Sequence, residues 1–261
     1  MTDWLALCRA AVDDVRGVLL ELPGRSEREP VVGAGMGGDE TTAIDAAAEN
    51  VILARFDGLD VTIVSEEAGI RGDGKTYVVV DPIDGSLNAK RGIGFFSLSI
   101  AVASGPAMGD VDFGFVHDFG TGEEWTATRG EGARLSGAPL EGQLPKDEIE
   151  ILSFEATRTA AVAEQAAAVV DLAYRLRIMG SLALSLCHLA AGRVDAVCSL
   201  KPARSVDIAA AQLLVRERGL AIDLFDAPPF GSAPLDLEGR SRVVAAGTPE
   251  LCRKLASALS A

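Results

Sequence analysis

Two carboxylates at the end of an apolar run are the residues best suited to chemistry. Residues 81–86 read DPIDGS, and they directly follow the apolar run Tyr77–Val80. Because proline has a fixed φ and no N–H, we expect the strand to turn at Pro82 and to bring Asp81 and Asp84 to one edge. Glycine at position 85 would let a ligand approach the backbone, and a helix beginning at Gly85-Ser86 would offer free N–H groups to a phosphate.

Further acids could join this pair. Glu66-Glu67 follows the β-branched run Val61–Val64, and Asp207 opens a later helical pattern. We expect only one of Glu66 and Glu67 to face the site, because neighbouring side chains of an extended chain point to opposite sides. Gathered carboxylates repel one another unless cations neutralise them, and all-oxygen ligands favour Mg²⁺ or Mn²⁺ over Zn²⁺.

Each motif has a simpler interpretation when it is taken alone. A single Asp-x-x-Asp pair is usually a solvated turn, Glu66-Glu67 a charged loop, and Asp207 an ordinary helix-start acid. Their joint occurrence at strand ends and helix starts favours a metal site. The spacing excludes the Asp-x-Asp pattern of aspartyl-nucleophile phosphatases, and alternating EF-hand ligands are absent from it.

Composition narrows the class of protein. The chain has 261 residues, a formal net charge of −14 and 48% apolar residues, which is typical of a globular protein with one domain or two sub-domains. The acidic excess argues against nucleic acid and an anionic membrane as partners. Four cysteines without C-x-x-C spacing and an amino terminus without a basic signal-like segment lead us to expect a cytoplasmic chain.

The elements that position these acids can be inferred from periodicity. In the first half, apolar spacing from Trp4 to Leu19 predicts a helix that ends near Pro23-Gly24, and a second helix is predicted over 43–55. The glycine-rich residues 33–38 indicate a mobile loop. Residues 95–128 alternate short strands and turns, as in an antiparallel meander. The Pro- and Gly-rich residues 137–147 suggest a junction, so we divide the chain into 1–140 and 141–261.

The second half alternates helices and strands, which is typical of an α/β layer. Its predicted helices are 159–173, 181–191, 206–218 and 248–259, and its predicted strands are 174–178, 194–200, 220–224 and 241–246.

Together these motifs resemble the inositol monophosphatase family of Mg²⁺-dependent, lithium-sensitive phosphatases. The DPIDGS segment is similar to the family's first signature and residues 206–211 (VDIAAA) to its second. The segments that resemble other family motifs are 38–49, 64–69, 130–137 and 177–196.

The resemblance implies a layered αβαβα sandwich, a homodimer and hydrolysis by direct attack of a metal-activated water. It implies two or three Mg²⁺ ions per site, with Mn²⁺ as a possible substitute, and catalytic roles for Glu66, Ser86 and Asp45. The implied metal ligands are Glu66, Asp81, the Ile83 carbonyl, Asp84 and Asp207. The residues expected to bind substrate are Asp84, Gly85, Ser86, Arg177, Gly180, Ser181, Lys201 and Arg204.

One departure from the family pattern bears on the substrate. The family places a sugar-binding glutamate shortly before the position of Asp207, where this chain has Leu200-Lys201 and then Arg204. This pattern is closer to the archaeal-type dual inositol monophosphatase and fructose-1,6-bisphosphatase branch. Lys201, Arg204 and Arg177 could pair with a second substrate phosphate, or each could form a surface salt bridge.

Two alternatives to a sugar or inositol phosphatase remain at this point. One is a phosphatase of 3′-phosphoadenosine phosphates, although aromatic residues make up only 5% of the chain and the second half has no evident adenine-stacking cluster. The other is a regulatory interaction protein without enzymatic activity, since some family members resemble such regulators.

Overall fold

Helices alternate with two β-sheets through the thickness of the molecule. The structure is a computed structural model that describes residues 2–142, 144–146, 148–155, 158–226 and 229–260. Cys8, Val12 and Val15 of the first helix are buried, as its three- and four-residue spacing predicts. The first elements are α1 (Trp4–Glu21), α2 (Arg25–Arg28), the hairpin strands β1 (Val31–Ala34) and β2 (Glu40–Thr42), and α3 (Ala43–Ala54).

The larger sheet has eight strands in the order β10-β9-β8-β7-β6-β5-β3-β4. Neighbours are antiparallel except β3 and β5, which are parallel and therefore bring their carboxyl ends to the same edge. Its elements are β3 (Val61–Ser65), β4 (Gly69–Arg71), β5 (Thr76–Asp84), the short helix α4 (Ser86–Arg91), β6 (Ser97–Ala103), β7 (Val111–Asp118), β8 (Glu124–Thr128), β9 (Gly132–Leu135) and β10 (Ala138–Pro139).

The smaller sheet has five strands in the order β12-β11-β13-β15-β14. β11 is parallel to β12 and β13, whereas β15 is antiparallel to both β13 and β14. Its elements are β11 (Ile149–Glu155), α5 (Thr159–Ala166), β12 (Ala173–Arg177), α6 (Leu182–Ala190), β13 (Ala196–Ser199), α7 (Ser205–Glu217), β14 (Ala221–Leu224), β15 (Val243–Ala246) and α8 (Pro249–Ala258).

Three groups of buried side chains hold the layers together. One fills the space between α1, α3 and the eight-stranded sheet, and another packs α8 against the five-stranded sheet. The third surrounds α6 and α7, which lie between the two sheets and are almost entirely buried. The resulting layers follow the order helix, sheet, helix, sheet, helix, so the predicted αβαβα sandwich is confirmed.

Several local predictions need correction. Residues 33–38 form a loop only in part, because Gly33 and Ala34 belong to β1 and pair with β2, whereas residues 35–38 connect the two strands of the hairpin. β5 does not stop at Asp81-Pro82; it continues to Asp84 with an irregularity in its pairing to β6, since proline interrupts the ladder without ending the strand. The helix predicted over 159–173 ends at Ala166 and passes into a 3₁₀ turn.

Other features were missed or remain untested. β11 was not predicted from the sequence, although it lies inside the five-stranded sheet. The division of the chain at residue 140 falls between the last strand of one sheet and the first of the other, and it stays a prediction. Gln143 and Asp147 of the predicted junction lie outside the described residues. In the part of the chain that the structure describes, no helix is long and apolar enough to span a membrane.

Candidate active site

A cleft of about 280 Å³ opens where β3 and β5 end and where α4 and α7 begin. Its wall contains the four carboxylates that the sequence analysis singled out, which we call the acidic cluster: Glu66, Asp81, Asp84 and Asp207. The carbonyl-bearing residue Ile83, the turn residues Gly85 and Ser86, and Asp45 line the same cleft. The fold thus brings together residues from four separate segments of the sequence.

The DPIDGS segment holds its two aspartates by short-range hydrogen bonds. Asp81 is buried, and its Oδ1 accepts a bond of 3.1 Å from the N–H of Ile83. Gly85 has φ 91°, and a Cβ there would stand 3.0 Å from the carbonyl oxygen of Gly180, so only glycine fits. Ser86 then begins α4, and its hydroxyl donates to the carbonyl oxygen of Ile83 at 2.9 Å.

Asp84 is fixed from the other half of the chain. Its Oδ2 accepts hydrogen bonds from the hydroxyl of Ser181 and, at 2.8 Å, from the N–H of Ala183. Both donors belong to the start of α6, where Ser181 is also the N-cap residue. A carboxylate at a helix start is favoured by the free N–H groups and the helix dipole. Asp84 therefore joins the eight-stranded sheet to the helix layer beneath it.

Both glutamates of the pair after β3 line the cleft, so the expectation that only one could face it is wrong. β3 ends at Ser65 and the chain turns, which removes the alternation of an extended strand. Glu66 pairs with the Arg204 guanidinium, whose Nη2 lies 2.5 Å from Glu66 Oε1. Glu67 instead accepts a hydrogen bond from the Thr41 hydroxyl.

Asp207 and Arg204 form the opposite wall. Asp207 is the third residue of α7, and its Oδ2 accepts a bond of 2.7 Å from the backbone N–H of Arg204, as in a capping box. The Arg204 side chain, which is only 6% exposed, also donates from Nη2 to Asp207 Oδ1 at 2.9 Å. One guanidinium therefore lies between two members of the acidic cluster.

Two acids of α3 support the cleft from behind. Asp45 closes the capping box of α3 by accepting hydrogen bonds from the N–H and hydroxyl of Thr42, while its Oδ1 is buried without a hydrogen-bond partner. Glu49 accepts from the Ser65 hydroxyl at 2.5 Å and from the N–H of Ala68 at 2.9 Å, which fixes the turn after β3. The free oxygen of Asp45 remains available to a bound group in the cleft.

Burial and mutual repulsion raise the pKa values of three carboxyl groups in the cleft, those of Glu66, Asp81 and Asp84. Burial, followed by the charges on Asp207 and Glu67, raises the pKa of Glu66 to about 7 against the lowering effect of Arg204. Burial also raises the pKa of Asp84 to about 7, against the hydrogen bond from Ser181. The pKa of Asp81 lies well above its ordinary value because of burial and then because of the charges on Glu66, Asp84 and Asp207. The single positive charge of Arg204 therefore does not offset the negative charge gathered in the cleft.

The donors suit a hard cation, but their present arrangement does not enclose one. Carboxylate and carbonyl oxygens are the ligands that Mg²⁺ prefers, and neither histidine of the chain lines the cleft. Among the described residues, no group of three or more His, Cys, Asp or Glu side chains is set to hold a metal ion. The Arg204 guanidinium lies between Glu66 and Asp207 and supplies the positive charge there instead.

The predicted substrate-side residues divide into three groups. Gly180 and Lys201 line the cleft, and Lys201 Nζ lies 3.1 Å from Asp39 Oδ2. Ser181 donates a hydrogen bond from its hydroxyl to Asp84. Arg177 ends β12 with an exposed side chain that donates to the carbonyl oxygen of Leu176, and it is not among the described residues that line the cleft.

Glu155 is a cleft residue that sequence reasoning missed. It ends β11, and its Oε2 accepts a bond of 2.8 Å from the N–H of Gly180. Its Oε1 accepts from the hydroxyls of Ser185 at 2.7 Å and Ser153 at 2.9 Å. The signal is weaker than the one that marked Asp81, because the segment 149–154 before this acid reads IEILSF and is interrupted by Glu150 and Ser153.

The β1–β2 hairpin covers Arg204 through a glycine. The N–H of Gly37 donates to the carbonyl oxygen of Glu66 at 2.8 Å, and the carbonyl oxygen of Gly37 accepts from Arg240. A Cβ at position 37 would lie 2.5 Å from Arg204 Nη1, which is closer than atoms can approach. The absence of a side chain at position 37 therefore gives the guanidinium its place.

Comparison with known proteins identifies the family. The family model "Inositol monophosphatase family" matches residues 7–261. The chain is 32% identical to the fructose-1,6-bisphosphatase/inositol-1-monophosphatase of Archaeoglobus fulgidus, over 94% of this chain and 93% of that protein. It is 37% identical to the Nus factor SuhB of Pasteurella multocida over 69% of this chain and 70% of that protein.

A solved structure agrees with these sequence matches. The MJ0109 gene product, described as an inositol monophosphatase–fructose 1,6-bisphosphatase, superimposes with a TM-score of 0.87 at 27% identity and covers 98% of this chain and 100% of its own. The two matches that extend over nearly the whole chain are to fructose-1,6-bisphosphatase and inositol monophosphatase proteins. They favour this type of phosphatase over a 3′-phosphoadenosine phosphatase and over a regulatory protein without enzymatic activity. The chain belongs to the inositol monophosphatase family and is a phosphatase of the inositol monophosphatase and fructose-1,6-bisphosphatase type.

Proposed function

We propose that the protein hydrolyses the phosphate monoesters of small sugars or polyols, with fructose-1,6-bisphosphate and inositol-1-phosphate as its substrates, in a reaction that depends on Mg²⁺. The observation that carries this proposal is the meeting of the acidic cluster with the turn at Gly85-Ser86 in one cleft. Acids at this density require cations, and cations together with helix N–H groups attract a phosphate despite the negative charge of the chain.

The residues that would hold Mg²⁺ are those of the acidic cluster and the Ile83 carbonyl. Bound Mg²⁺, with Mn²⁺ as a substitute, would lower the pKa of a water molecule and offset charge on the leaving oxygen. The Ser86 hydroxyl would orient that water, Glu66 would accept its proton, and Asp45, with its unpaired Oδ1, would hold it from behind.

Phosphate binding falls to the turn after β5. The first N–H groups of α4 have no partner within that helix, and Gly85 presents no side chain that would keep a phosphate away. Asp84 lies beside this turn and is kept in one orientation by Ser181 and Ala183. Pre-set donors and a fixed carboxylate lower the cost of reorganisation when the phosphate reacts.

Lys201 is the residue that favours a bisphosphate. It lines the cleft, its side chain is 47% exposed, and its present partner Asp39 is itself 55% exposed. Exchange of such a partner for a substrate phosphate costs little, because exposed ion pairs are weak. Arg204 lines the same cleft but is engaged by the acidic cluster, and Arg177 would have to reach the cleft from the end of β12.

The test is a phosphate-release assay with fructose-1,6-bisphosphate and inositol-1-phosphate, each with Mg²⁺ and with EDTA. We expect release from both substrates with Mg²⁺ only, and we expect Lys201→Met to raise KM for the bisphosphate roughly tenfold, the scale of one lost charge-assisted contact. Lys75→Met, which removes an exposed lysine outside the cleft, is the matched control. Activity in EDTA, or an equal change in KM for both substrates, would contradict the proposal.

The proposal also places the enzyme in the cytoplasm as a homodimer. Support comes from the family resemblance and from the four cysteines, which are all free and buried. Sedimentation of the purified chain would measure the oligomeric state directly.

A further inference from the structure

Arg204 places its positive charge between two carboxylates, those of Glu66 and Asp207. Its Nη2 contacts both Glu66 Oε1 at 2.5 Å and Asp207 Oδ1 at 2.9 Å, and its Nη1 lies 3.7 Å from Asp39 Oδ2. Glu66 and Asp207 are both expected to bind Mg²⁺. A carboxylate oxygen that accepts from a guanidinium cannot at the same time direct that lone pair at a metal ion, and two cations at one place repel each other.

The guanidinium is not fully satisfied where it lies. The side chain is only 6% exposed, and its buried Nη1 has no hydrogen-bond partner. An unsatisfied buried donor carries a desolvation cost that a solvated position would remove. Its Nε and Nη2 donate hydrogen bonds to Glu66 and Asp207, so Nη1 is the atom that the present position leaves without a partner.

Space for the side chain to move exists on its other side. Arg204 and Ala203 line both the cleft and a second cavity of about 220 Å³, whose wall also includes Ile208, Ser241 and the acidic residue Asp226. A rotation of the long, flexible side chain could therefore free Glu66 and Asp207 without any movement of α7.

We propose that Arg204 and the divalent metal ions compete for Glu66 and Asp207, so that Arg204 neutralises the acidic cluster in the absence of metal and metal binding displaces its guanidinium. This inference rests on the proposed Mg²⁺-dependent function, which it deepens by naming a residue that sets the metal affinity.

Metal binding measured without turnover tests this competition. Free Mn²⁺ is followed by its electron paramagnetic resonance signal during titration of the wild type, Arg204→Met, Arg204→Lys and Arg240→Met. Arg240 is the matched control, because it contacts the same hairpin at Gly37 and lines the second cavity but pairs with no member of the acidic cluster. Asp81→Asn, made alone and together with Arg204→Met, removes an expected metal ligand. The Mn²⁺ binding that it abolishes is the binding that takes place in the cleft.

We expect Arg204→Met to bind Mn²⁺ at least about tenfold more tightly than the wild type, within the usual range of coupling between two ligands. Arg204→Lys, which keeps the charge but lacks the planar fork, should lie between them, and Arg240→Met should change the affinity much less. Arg204→Lys keeps the test valid if Arg204→Met does not fold without metal.

The outcomes separate this inference from the proposed function. Equal or weaker Mn²⁺ binding by Arg204→Met and Arg204→Lys, with binding still lost in Asp81→Asn, would overturn the competition and leave the proposed function intact. Binding that is insensitive to Asp81→Asn in every variant would overturn both. An affinity gain in Arg240→Met equal to that in Arg204→Met would also overturn the competition, since it would show a general effect of net charge.

Discussion

The two sides of the cleft hold their carboxylates by different means. Asp84 accepts hydrogen bonds from two neutral donors at the start of α6. These are the hydroxyl of the N-cap residue Ser181 and the backbone N–H of Ala183 in the first turn. Glu66 and Asp207 are instead held together by one charged and flexible side chain, Arg204. The first arrangement is permanent once the fold has formed. The second depends on which cation is present, so the cleft combines a fixed side with an exchangeable one.

The largest expected effect concerns the fixed side. Asp84→Asn should reduce kcat roughly 10²-fold or more, because the variant lacks a charge that is both pre-oriented and adjacent to the phosphate turn. Steady-state phosphate release measures the effect. Asp112→Asn, at an exposed position paired with Arg129, is the control and should retain full activity. Undiminished turnover in Asp84→Asn would show that the fixed side has no part in catalysis.

The next effect probes the exchangeable side. Arg204→Met should lower the unfolding free energy in EDTA by about 2 kcal/mol, because two partly buried carboxylates lose their counterion. Excess Mg²⁺ should restore most of this loss, since the metal binds only the folded form. Urea denaturation with and without Mg²⁺ measures both quantities.

A matched ion pair on the surface gives the reference for that loss. Lys254→Met removes the partner of Glu250 on the exposed face of α8, where the two side chains lie 3.0 Å apart. This variant should lower the unfolding free energy by less than about 1 kcal/mol with or without Mg²⁺. If Arg204→Met and Lys254→Met behaved alike, the two sides of the cleft would not differ in the way described.

The smallest effect tests what fixes Asp84. Ser181→Ala should lower the unfolding free energy by about 1 kcal/mol, from a lost cap and hydrogen bond, and kcat roughly tenfold. Thr248→Ala removes the N-cap of α8, which accepts from the N–H of Leu251 at 3.2 Å but contacts no cleft residue, and it should lose stability without losing kcat. Ser181→Thr, which keeps the hydroxyl, should recover activity. Equal kcat in Ser181→Ala and the wild type would make the hydroxyl structural only.

Much of the fold was predictable because its signals are local. Helices α1, α3, α7 and α8 agree closely with apolar periodicity and capping residues, and the DPIDGS segment lies in the cleft, as its proline, glycine and two acids suggest. These patterns depend on residues a few positions apart, which the sequence displays directly.

The contacts that were missed join distant segments. Glu155 meets Gly180, and Arg204 meets Glu66, through the stacking of the layers, which no spacing in the sequence reveals. The Glu66-Glu67 prediction failed because it assumed an extended chain where Glu49 draws the backbone into a turn. Arg204 was expected either to pair with a substrate phosphate or to form a surface salt bridge. It forms a buried ion pair with Glu66 and Asp207 instead, a burial that the sequence does not reveal.

The missing side chain at position 37 restricts how this sequence can vary. With a Cβ at this position, the hairpin and the buried guanidinium could not both keep their places. Positions 37 and 204 therefore act as one unit in variation: a relative that carries a larger residue at 37 must have given up the buried arginine or lifted its hairpin. If Arg204 and metal ions compete as proposed, a substitution at the hairpin tip would change the metal affinity of the cleft without altering any ligand.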